Sequence, residues 1–361
     1  MKSNYNKVLL ASLSLIAASP AFAGNKDRSG QSGASELLIN PWAQSTGVFG
    51  LDVANVRGIQ SMKVNVAGLS FSDDLEVGAS YSRYLSGTGI SVNNLAAAYR
   101  LSSSAVVGVN VMSMSFGEID VTDIDHPEGT GAKFKPSFLN FQLGFSKEFS
   151  ERIRGGVAAT FISEQIGNIG ASGASIDAGV QYVDRNLHIG ITLRNAGTNM
   201  RFSGGGFSST STAPNADYAF TRSTPQEKFQ LPTYMSMGIA YDFYIAGRSA
   251  SATEGKGDHR ITAIGNFTSN SFNNDYLGIG AEYGFREMFM ARAAFRYEKD
   301  IFDALKTTTF YTGISMGASV AAPLNKKGSK LYIDYSFRPT QRPANGVHVF
   351  GLRFNFASSD K

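Results

Sequence analysis

The stretch that decides the fold is Val349-Phe350-Gly351-Leu352-Arg353-Phe354-Asn355-Phe356, close to the end of the chain. Phe350, Leu352, Phe354 and Phe356 fall on one side of the alternation, and Val349, Gly351, Arg353 and Asn355 fall on the other. A period of two residues is typical of a β-strand whose two faces meet different surroundings. The stretch therefore predicts an amphipathic strand over 346–356.

The same alternation recurs along the chain from Leu75 onward, for example in 139–145 and 187–194. The predicted strands are longer than the usual 5–6 residues, and this length suits a tilted bilayer crossing. We therefore predict an all-β fold, a transmembrane antiparallel β-barrel of about 14 strands with an N-terminal lumen plug. The predicted strands are 75–85, 89–101, 104–117, 135–149, 153–168, 172–184, 186–196, 231–244, 260–268, 275–284, 287–298, 307–321, 329–338 and 346–356.

The composition agrees with a barrel wall. Charged residues make up only 17% of the chain, and no segment after the N-terminus has the run of about 20 apolar residues that a membrane helix needs. Apolar outward residues that alternate with polar inward ones give a neutral average. A soluble periplasmic β-sandwich also alternates and is an open alternative, but its outward face would be polar.

The N-terminus predicts export. Lys2 and Lys7 precede an apolar stretch, and Ala21-Phe22-Ala23 forms an A-x-A cleavage site. We divide the chain into a signal peptide (1–23), a plug (24–74), a transmembrane barrel (75–356) and a C-terminal tail (357–361). An even strand number predicts that both the N- and C-termini are periplasmic, in the outer membrane of a Gram-negative, Bacteroidetes-like cell. The aromatic-ended last strand resembles the signal that the barrel assembly machinery recognises.

The lengths of the connections predict the orientation of the barrel. Connections 118–134 and 197–230 are long and fall on the side that we expect to face outward. Most connections on the other side are tight, such as Glu151-Arg152 and Asp184-Arg185, whereas 245–259 is an exception. Long external loops and short periplasmic turns are typical of outer-membrane barrels.

The plug prediction rests on the space inside the barrel. A barrel of about 14 strands has an interior wider than its own side chains fill, so the residues before the first strand have room in the lumen. Both signs of charge point inward, so these groups can pair with one another and with the plug. An alternative is a solvated, paired lumen without a substrate. The lumen charges that we single out are Asp177, Arg194, Arg292, Arg296 and Arg353.

Catalytic and metal-binding patterns are missing. The chain has no cysteine, no G-x-S-x-G and no H-E-x-x-H, and its four histidines are scattered. We expect no enzyme activity, no cofactor and no metal site. The formal charge of +4 includes no basic block, so nucleic acid is not an expected partner. The acidic stretch 118–125 has two interpretations, a calcium site or, more simply, a solvated loop.

The region before the first strand resembles a known family. Residues 35–47 lead into Asn55-Val56-Arg57-Gly58 and then Asn65-Val66-Ala67-Gly68-Leu69. This order resembles the PorV/PorQ family, outer-membrane proteins of the type IX secretion system related to FadL-type transporters. The resemblance identifies Asn65, Gly68 and Leu69 as the plug motif, and Val66 stands where the family has proline.

The resemblance implies a non-enzymatic accessory of type IX secretion that binds secreted cargo or the translocon through its external loops. Outer-membrane lipid and lipopolysaccharide would surround the wall. The alternative is a FadL-like uptake channel for a hydrophobic small molecule, and a general porin is a third possibility that a filled lumen would disfavour. The candidate partner-binding residues, which are otherwise lipid-interface or loop-core side chains, are Phe134, Phe202, Phe207, Tyr218 and Phe220.

Overall fold

The structure is a computed structural model that describes residues 28–212, 219–245, 258–303, 305–325 and 328–357. The predicted signal peptide, the start of the plug at 24–27 and most of the 245–259 connection lie outside the described residues. The predicted tail is described only at Ala357.

Fourteen antiparallel strands form a closed barrel, as the alternation predicted. Each strand pairs with the next along the chain, and β1 pairs with β14 to close the ring. The strands are β1 (Leu75–Arg83), β2 (Ser91–Arg100), β3 (Ala105–Ser115), β4 (Ser137–Glu148), β5 (Ile153–Ile166), β6 (Ile169–Asp184), β7 (Leu187–Gly197), β8 (Tyr234–Ile245), β9 (His259–Asn270), β10 (Tyr276–Phe285), β11 (Phe289–Glu298), β12 (Ile314–Pro323), β13 (Lys330–Arg338) and β14 (Val347–Phe356).

The wall is apolar outside and polar inside. On β4, Leu139 and Phe141 are exposed, whereas Asn140 and Gln142 between them are buried. This polarity excludes the soluble sandwich, because water would meet an apolar face while the polar face was packed away. Within the described ranges, no helix is both long and apolar enough to cross a bilayer.

The two ends of the barrel differ. At one end, which we call the long-loop end, lie the connections 116–136 and 198–233. The first contains a small pairing of Ile119–Asp120 with Lys133–Phe134, and the second a ribbon of Ser208–Thr212 with Ala219–Ser223. The other end, which we call the turn end, has short connections such as 149–152 and 185–186.

Residues 34–72, which we call the N-terminal segment, run inside the barrel from one end to the other. The segment contains one helical turn of α-helix, Ala43–Thr46, between short 3₁₀ turns. The 3₁₀ turns are Ser35–Leu38, Asp52–Ala54, Ile59–Lys63 and Val66–Phe71.

The contacts at its two ends give the direction of the segment. Just before it, Arg28 donates a hydrogen bond to the side chain of Gln230 at the long-loop end. At the other extreme, Arg100 donates to the carbonyl of Ser70 at the turn end, over 2.9 Å. The described chain thus begins at the long-loop end and finishes, after Phe356, at the turn end. The segment crosses the barrel before β1 begins, so Arg28 and Phe356 lie at opposite ends of the barrel. The periplasmic location of both termini stays a prediction.

One break in the alternation lies in β7. The pairing of β6 with β7 shifts register between Ile176 and Ala178, and Arg194 and Asn195 are both buried in succession. Asn195 has a φ of 57°, and its N–H donates to Oδ1 of Asp177 over 2.7 Å. Arg194 points into the lumen by the regular alternation, and this β-bulge turns Asn195 inward beside it.

β12 begins at Ile314, seven residues later than the predicted start at 307. The residues before it turn inward, where the ring of Tyr311 packs edge-on against Phe49 with 5.2 Å between centroids. Tyr311 therefore belongs to the packing between the wall and the N-terminal segment.

Candidate functional site

The N-terminal segment fits into the barrel because glycines of the wall stand where the two backbones approach most closely. A Cβ on Gly190 would lie 2.3 Å from the carbonyl oxygen of Val53, and one on Gly156 would lie 2.7 Å from that of Val66. Glycine allows this close approach of two backbones. Other wall glycines whose Cβ would meet the segment are Gly78, Gly108, Gly144, Gly179, Gly238, Gly278 and Gly317.

Asn65 of the predicted plug motif holds the segment to the wall. Its Nδ2 donates to the carbonyl of Val53 over 3.0 Å and to that of Val180 on β6 over 3.1 Å, while its Oδ1 accepts from the N–H of Ala67. Since the side chain is fully buried, these bonds have no competition from water.

Gly68 and Leu69, the other two residues of that motif, are also buried. A Cβ on Gly68 would lie 2.2 Å from the carbonyl oxygen of Val56, so only glycine fits there. Leu69 packs with Met62 in an apolar cluster. The structure thus brings the three motif residues together where the segment meets the wall.

Asp177 and Arg194, two of the predicted lumen charges, form a buried ion pair. Arg194 Nη2 lies 3.1 Å from Asp177 Oδ2, and Gln142 donates to the same oxygen over 2.9 Å. Arg194 also donates to the carbonyl of Lys63 in the segment. The pair therefore links two wall strands to the N-terminal segment.

A belt of alternating charges lines the lumen near the turn end. Arg292 pairs with Glu282, and Arg260 contacts the other oxygen of the same carboxylate at 2.6 Å. Farther round, Arg353 donates from Nε to Asp334 over 2.9 Å. Arg292 and Arg353, predicted as lumen charges, are thus paired with acids on neighbouring strands. Around this belt lies a cavity of about 350 Å³, which we call the lower cavity.

A second cavity of about 320 Å³, the upper cavity, lies toward the long-loop end. Arg296, another predicted lumen charge, lines it together with Arg338, Phe49 and Tyr311. The segment contributes lining residues to both cavities and so lies between them. Arg338, the last residue of β13, was not among the lumen charges predicted from the sequence.

The aromatic residues proposed for partner binding have different surroundings. Phe202 packs against Phe229 with 5.6 Å between centroids, so it belongs to the core of its loop. Phe134 and Phe207 are half-buried, whereas Phe220 is exposed on the ribbon. Tyr218 lies outside the described residues.

The acidic stretch 118–125 is engaged with cations from the chain itself. Glu118 pairs with Lys135 over 2.9 Å, and Lys133 lies near Asp120. In the described part of the chain, no group of three or more His, Cys, Asp or Glu side chains could hold a metal ion. Of the two interpretations of this stretch, the geometry supports the solvated loop.

A family model described as "Type IX secretion system protein PorV" matches residues 23–254. The chain belongs to the PorV family. The match covers the N-terminal segment, strands β1 to β8 and both long connections. No match was found among curated proteins.

Solved structures of other proteins share the fold of this PorV-family barrel. The toluene transporter TodX of Pseudomonas putida has 12% identity and a TM-score of 0.51, over 88% of this chain and 97% of that one. A TodX mutant titled a monoaromatic hydrocarbon channel has 12% identity and a TM-score of 0.50, over 87% of this chain and 98% of that one. Identities this low show a shared barrel fold and nothing about the ligand.

The buried carboxyl of Asp52 makes the docking of the segment in this PorV-family protein depend on pH. Burial raises the pKa of Asp52 from 3.8 to about 6, against the hydrogen bond from Ser45 and the charge of Arg292, which lower it. Here docking means that the segment lies in the lumen against the wall, and in that state the pKa of Asp52 is raised. Asp52 therefore favours docking while it is protonated, below its ordinary pKa. This contribution is lost as the pH rises toward the raised pKa. We expect docking to weaken by roughly 2 kcal/mol between pH 4 and pH 6 through this group.

Limited proteolysis of the detergent-solubilised barrel at pH 4 and pH 7 measures this effect. Cleavage within 34–72 should be faster at pH 7, and Asp52→Asn should reduce the difference. Burial also raises the pKa of Glu36, so some dependence of the same sign should remain. The half-exposed Asp303, which pairs with Lys306, provides a control variant, Asp303→Asn. A difference between the two pH values that Asp52→Asn leaves unchanged would contradict the prediction.

Proposed function

We propose that this protein is an accessory of type IX secretion whose long-loop end binds secreted proteins or the translocon. The observation that carries the proposal is the PorV family match over residues 23–254. We further propose the domain division of the sequence prediction, with a signal peptide (1–23), a plug (24–74), a barrel (75–356) and a tail (357–361). Lipopolysaccharide around the wall and the barrel assembly machinery during insertion are part of this proposal.

The occupied lumen supports a role that does not depend on an open pore. The backbone of the N-terminal segment lies against wall glycines, and the side chain of Gln44 in the segment accepts a hydrogen bond from Arg353 of the wall. A general porin conducts through an open, water-filled channel. Recognition at a loop surface is therefore better supported than unspecific passage.

The long-loop end carries the kind of side chains that protein interfaces use. Ile124 is 99% exposed and Phe220 is 47% exposed, and both stand on the long connections. Phe302 and Leu305, on the connection from β11 to β12, are also exposed. Apolar side chains that project into water from a loop favour the binding of a partner protein, because the partner would bury them.

The proposal predicts what copurifies with the tagged protein from its native outer membrane. We expect a large translocon subunit, or secreted proteins that share a C-terminal domain, in the eluate. A variant with Ile124→Ser and Phe220→Ser should lower their yield about tenfold, because it removes two exposed apolar contacts. The control is Phe149→Ser, which changes an exposed aromatic residue at the turn end. Equal yields from both variants would contradict binding through the long-loop end.

Uptake of a hydrophobic small molecule is the second candidate function. The upper cavity supports it, because aromatic side chains such as Phe49, Tyr84 and Phe310 line it. The same purification separates the two functions. A barrel that elutes without protein partners and carries a bound apolar molecule would support uptake and contradict the secretion role.

A further inference from the structure

Two arginines in the upper cavity, Arg338 buried and Arg296 half-buried, have donors without acceptors. Nε and Nη2 of Arg338 and Nε of Arg296 are buried and have no hydrogen-bond partner among the described residues. Arg338 is 6% exposed. Buried guanidinium groups are normally paired, since an unsatisfied buried donor is destabilising and more so when it is charged.

Aromatic rings hold these two groups in place. The guanidinium of Arg296 lies 4.3 Å from the centre of the Phe49 ring and 4.7 Å from that of Tyr276. Arg338 lies 4.6 Å from the centre of the Tyr311 ring and also faces Phe49. These cation–π contacts hold the guanidinium groups, and Nε of both arginines and Nη2 of Arg338 remain without an acceptor among the described residues.

The charge of the cavity is unbalanced. Its charged lining residues are Lys63, Arg296, Arg338 and Glu298, and Glu298 lies 3.7 Å from Arg296. Burial and the neighbouring Arg194 lower the pKa of Lys63 to about 8, so its amine is still mostly protonated at pH 7. Three cations therefore face one carboxylate, and the cavity attracts a negative charge.

The backbone at this place is also strained. Phe49 has a φ of 61°, which is unfavourable for a bulky side chain, and it is followed by Gly50 at 75°. This conformation directs the Phe49 ring between the two arginines. Strain of this kind concentrates at ligand-binding positions.

We propose that the upper cavity is a binding site for a compact oxyanion, a carboxylate or phosphate group, held between Arg296 and Arg338. The guanidinium edges would donate to the oxygens, and the rings of Phe49, Tyr276 and Tyr311 would contact a planar or apolar body. Half-exposed Leu38 and Phe310 among the lining residues give access from the long-loop end. The site consists of lumen residues, so it does not depend on which protein the loops bind.

Calorimetry on the detergent-solubilised barrel tests the site with three probes of similar size. Benzoate carries a carboxylate, phenyl phosphate carries a phosphate, and benzamide is the neutral control. We expect at least one of the two anions to bind about tenfold or more tightly than benzamide, as charge-assisted hydrogen bonds require. The anion that binds more tightly identifies whether the site prefers a carboxylate or a phosphate group.

Variants locate the binding. Arg338→Gln should lower the affinity for the preferred anion about tenfold and leave the affinity for benzamide unchanged. The control is Arg222→Gln, which makes the same change on the exposed ribbon of the long-loop end. The comparison of anion with amide on the unchanged protein does not depend on how any variant folds. Equal binding of the anions and benzamide, or no anion binding up to millimolar concentration, would overturn the proposal.

Discussion

Gly190→Leu is expected to expel the N-terminal segment from the lumen and to open the barrel. Even a Cβ at this position would lie 2.3 Å from the carbonyl oxygen of Val53 and 2.7 Å from the Cα of Ala54. Both are backbone atoms, so no side-chain rotation relieves the clash. The wall strand is fixed by its neighbours on both sides, and the segment must therefore give way.

Conductance across a planar lipid bilayer measures this effect. The variant should show a steady ion current, whereas the unchanged protein should conduct little. Gly265→Leu is the matched control, because Gly265 stands on the outward face, opposite Ile239 and Ile279. If Gly190→Leu and Gly265→Leu conduct equally, the segment does not close the lumen in the way described.

Asp177→Ala is expected to destabilise the protein by about 3–5 kcal/mol, the usual cost of leaving a buried charge without its partner. Asp177 is fully buried and accepts from Gln142, Arg194 and the N–H of Asn195. Its loss leaves the guanidinium of Arg194 uncompensated and removes the acceptor that supports the bulge in β7. Since Arg194 also donates to the carbonyl of Lys63, the segment should loosen as well.

Urea unfolding of the barrel in detergent micelles gives the change in free energy. Asp303→Asn is the control, because Asp303 forms an exposed pair with Lys306 and such pairs contribute about 0–1 kcal/mol. The Arg194→Met variant of the Asp177→Ala protein should recover part of the loss, because it removes the unpaired charge. A loss below about 1 kcal/mol for Asp177→Ala would show that the pair does not hold the wall and the segment together.

The wall of the barrel was predictable from the sequence because its physics is local. Successive side chains of a strand point alternately to the lipid and to the lumen, so adjacent residues differ in polarity. Leu139 and Asn140 illustrate the point, since their opposite burial follows from their order in the chain. The inward position of Asp177 and Arg353 was predictable for the same reason.

The contacts between distant parts of the chain were not predictable in this way. Gly190 meets Val53 and Gly156 meets Val66 only because the segment follows a particular path through the lumen. The bulge at Asn195 depends on the carboxylate of Asp177 in the neighbouring strand. In the single sequence, these glycines look like the many others that a barrel contains.

The upper cavity also combines residues from distant elements. Phe49 comes from the segment, Arg296 from β11, Tyr311 from the connection after it and Arg338 from the end of β13. The sequence prediction included Arg296 as one of several inward charges. It had no means to show that Arg338 lies beside it, because register and strand tilt decide which inward residues meet.

The secretion role is tested most directly by deleting the gene in the native bacterium and measuring the amounts of the bacterium's exported proteins by quantitative mass spectrometry. Proteins with the shared C-terminal secretion domain should disappear from the medium and the cell surface and accumulate inside the cell envelope. Expression of the unchanged chain should restore their export, and the Ile124→Ser, Phe220→Ser variant should restore it poorly. Unchanged export in the deletion strain, together with lost uptake of a hydrophobic compound, would contradict the secretion role.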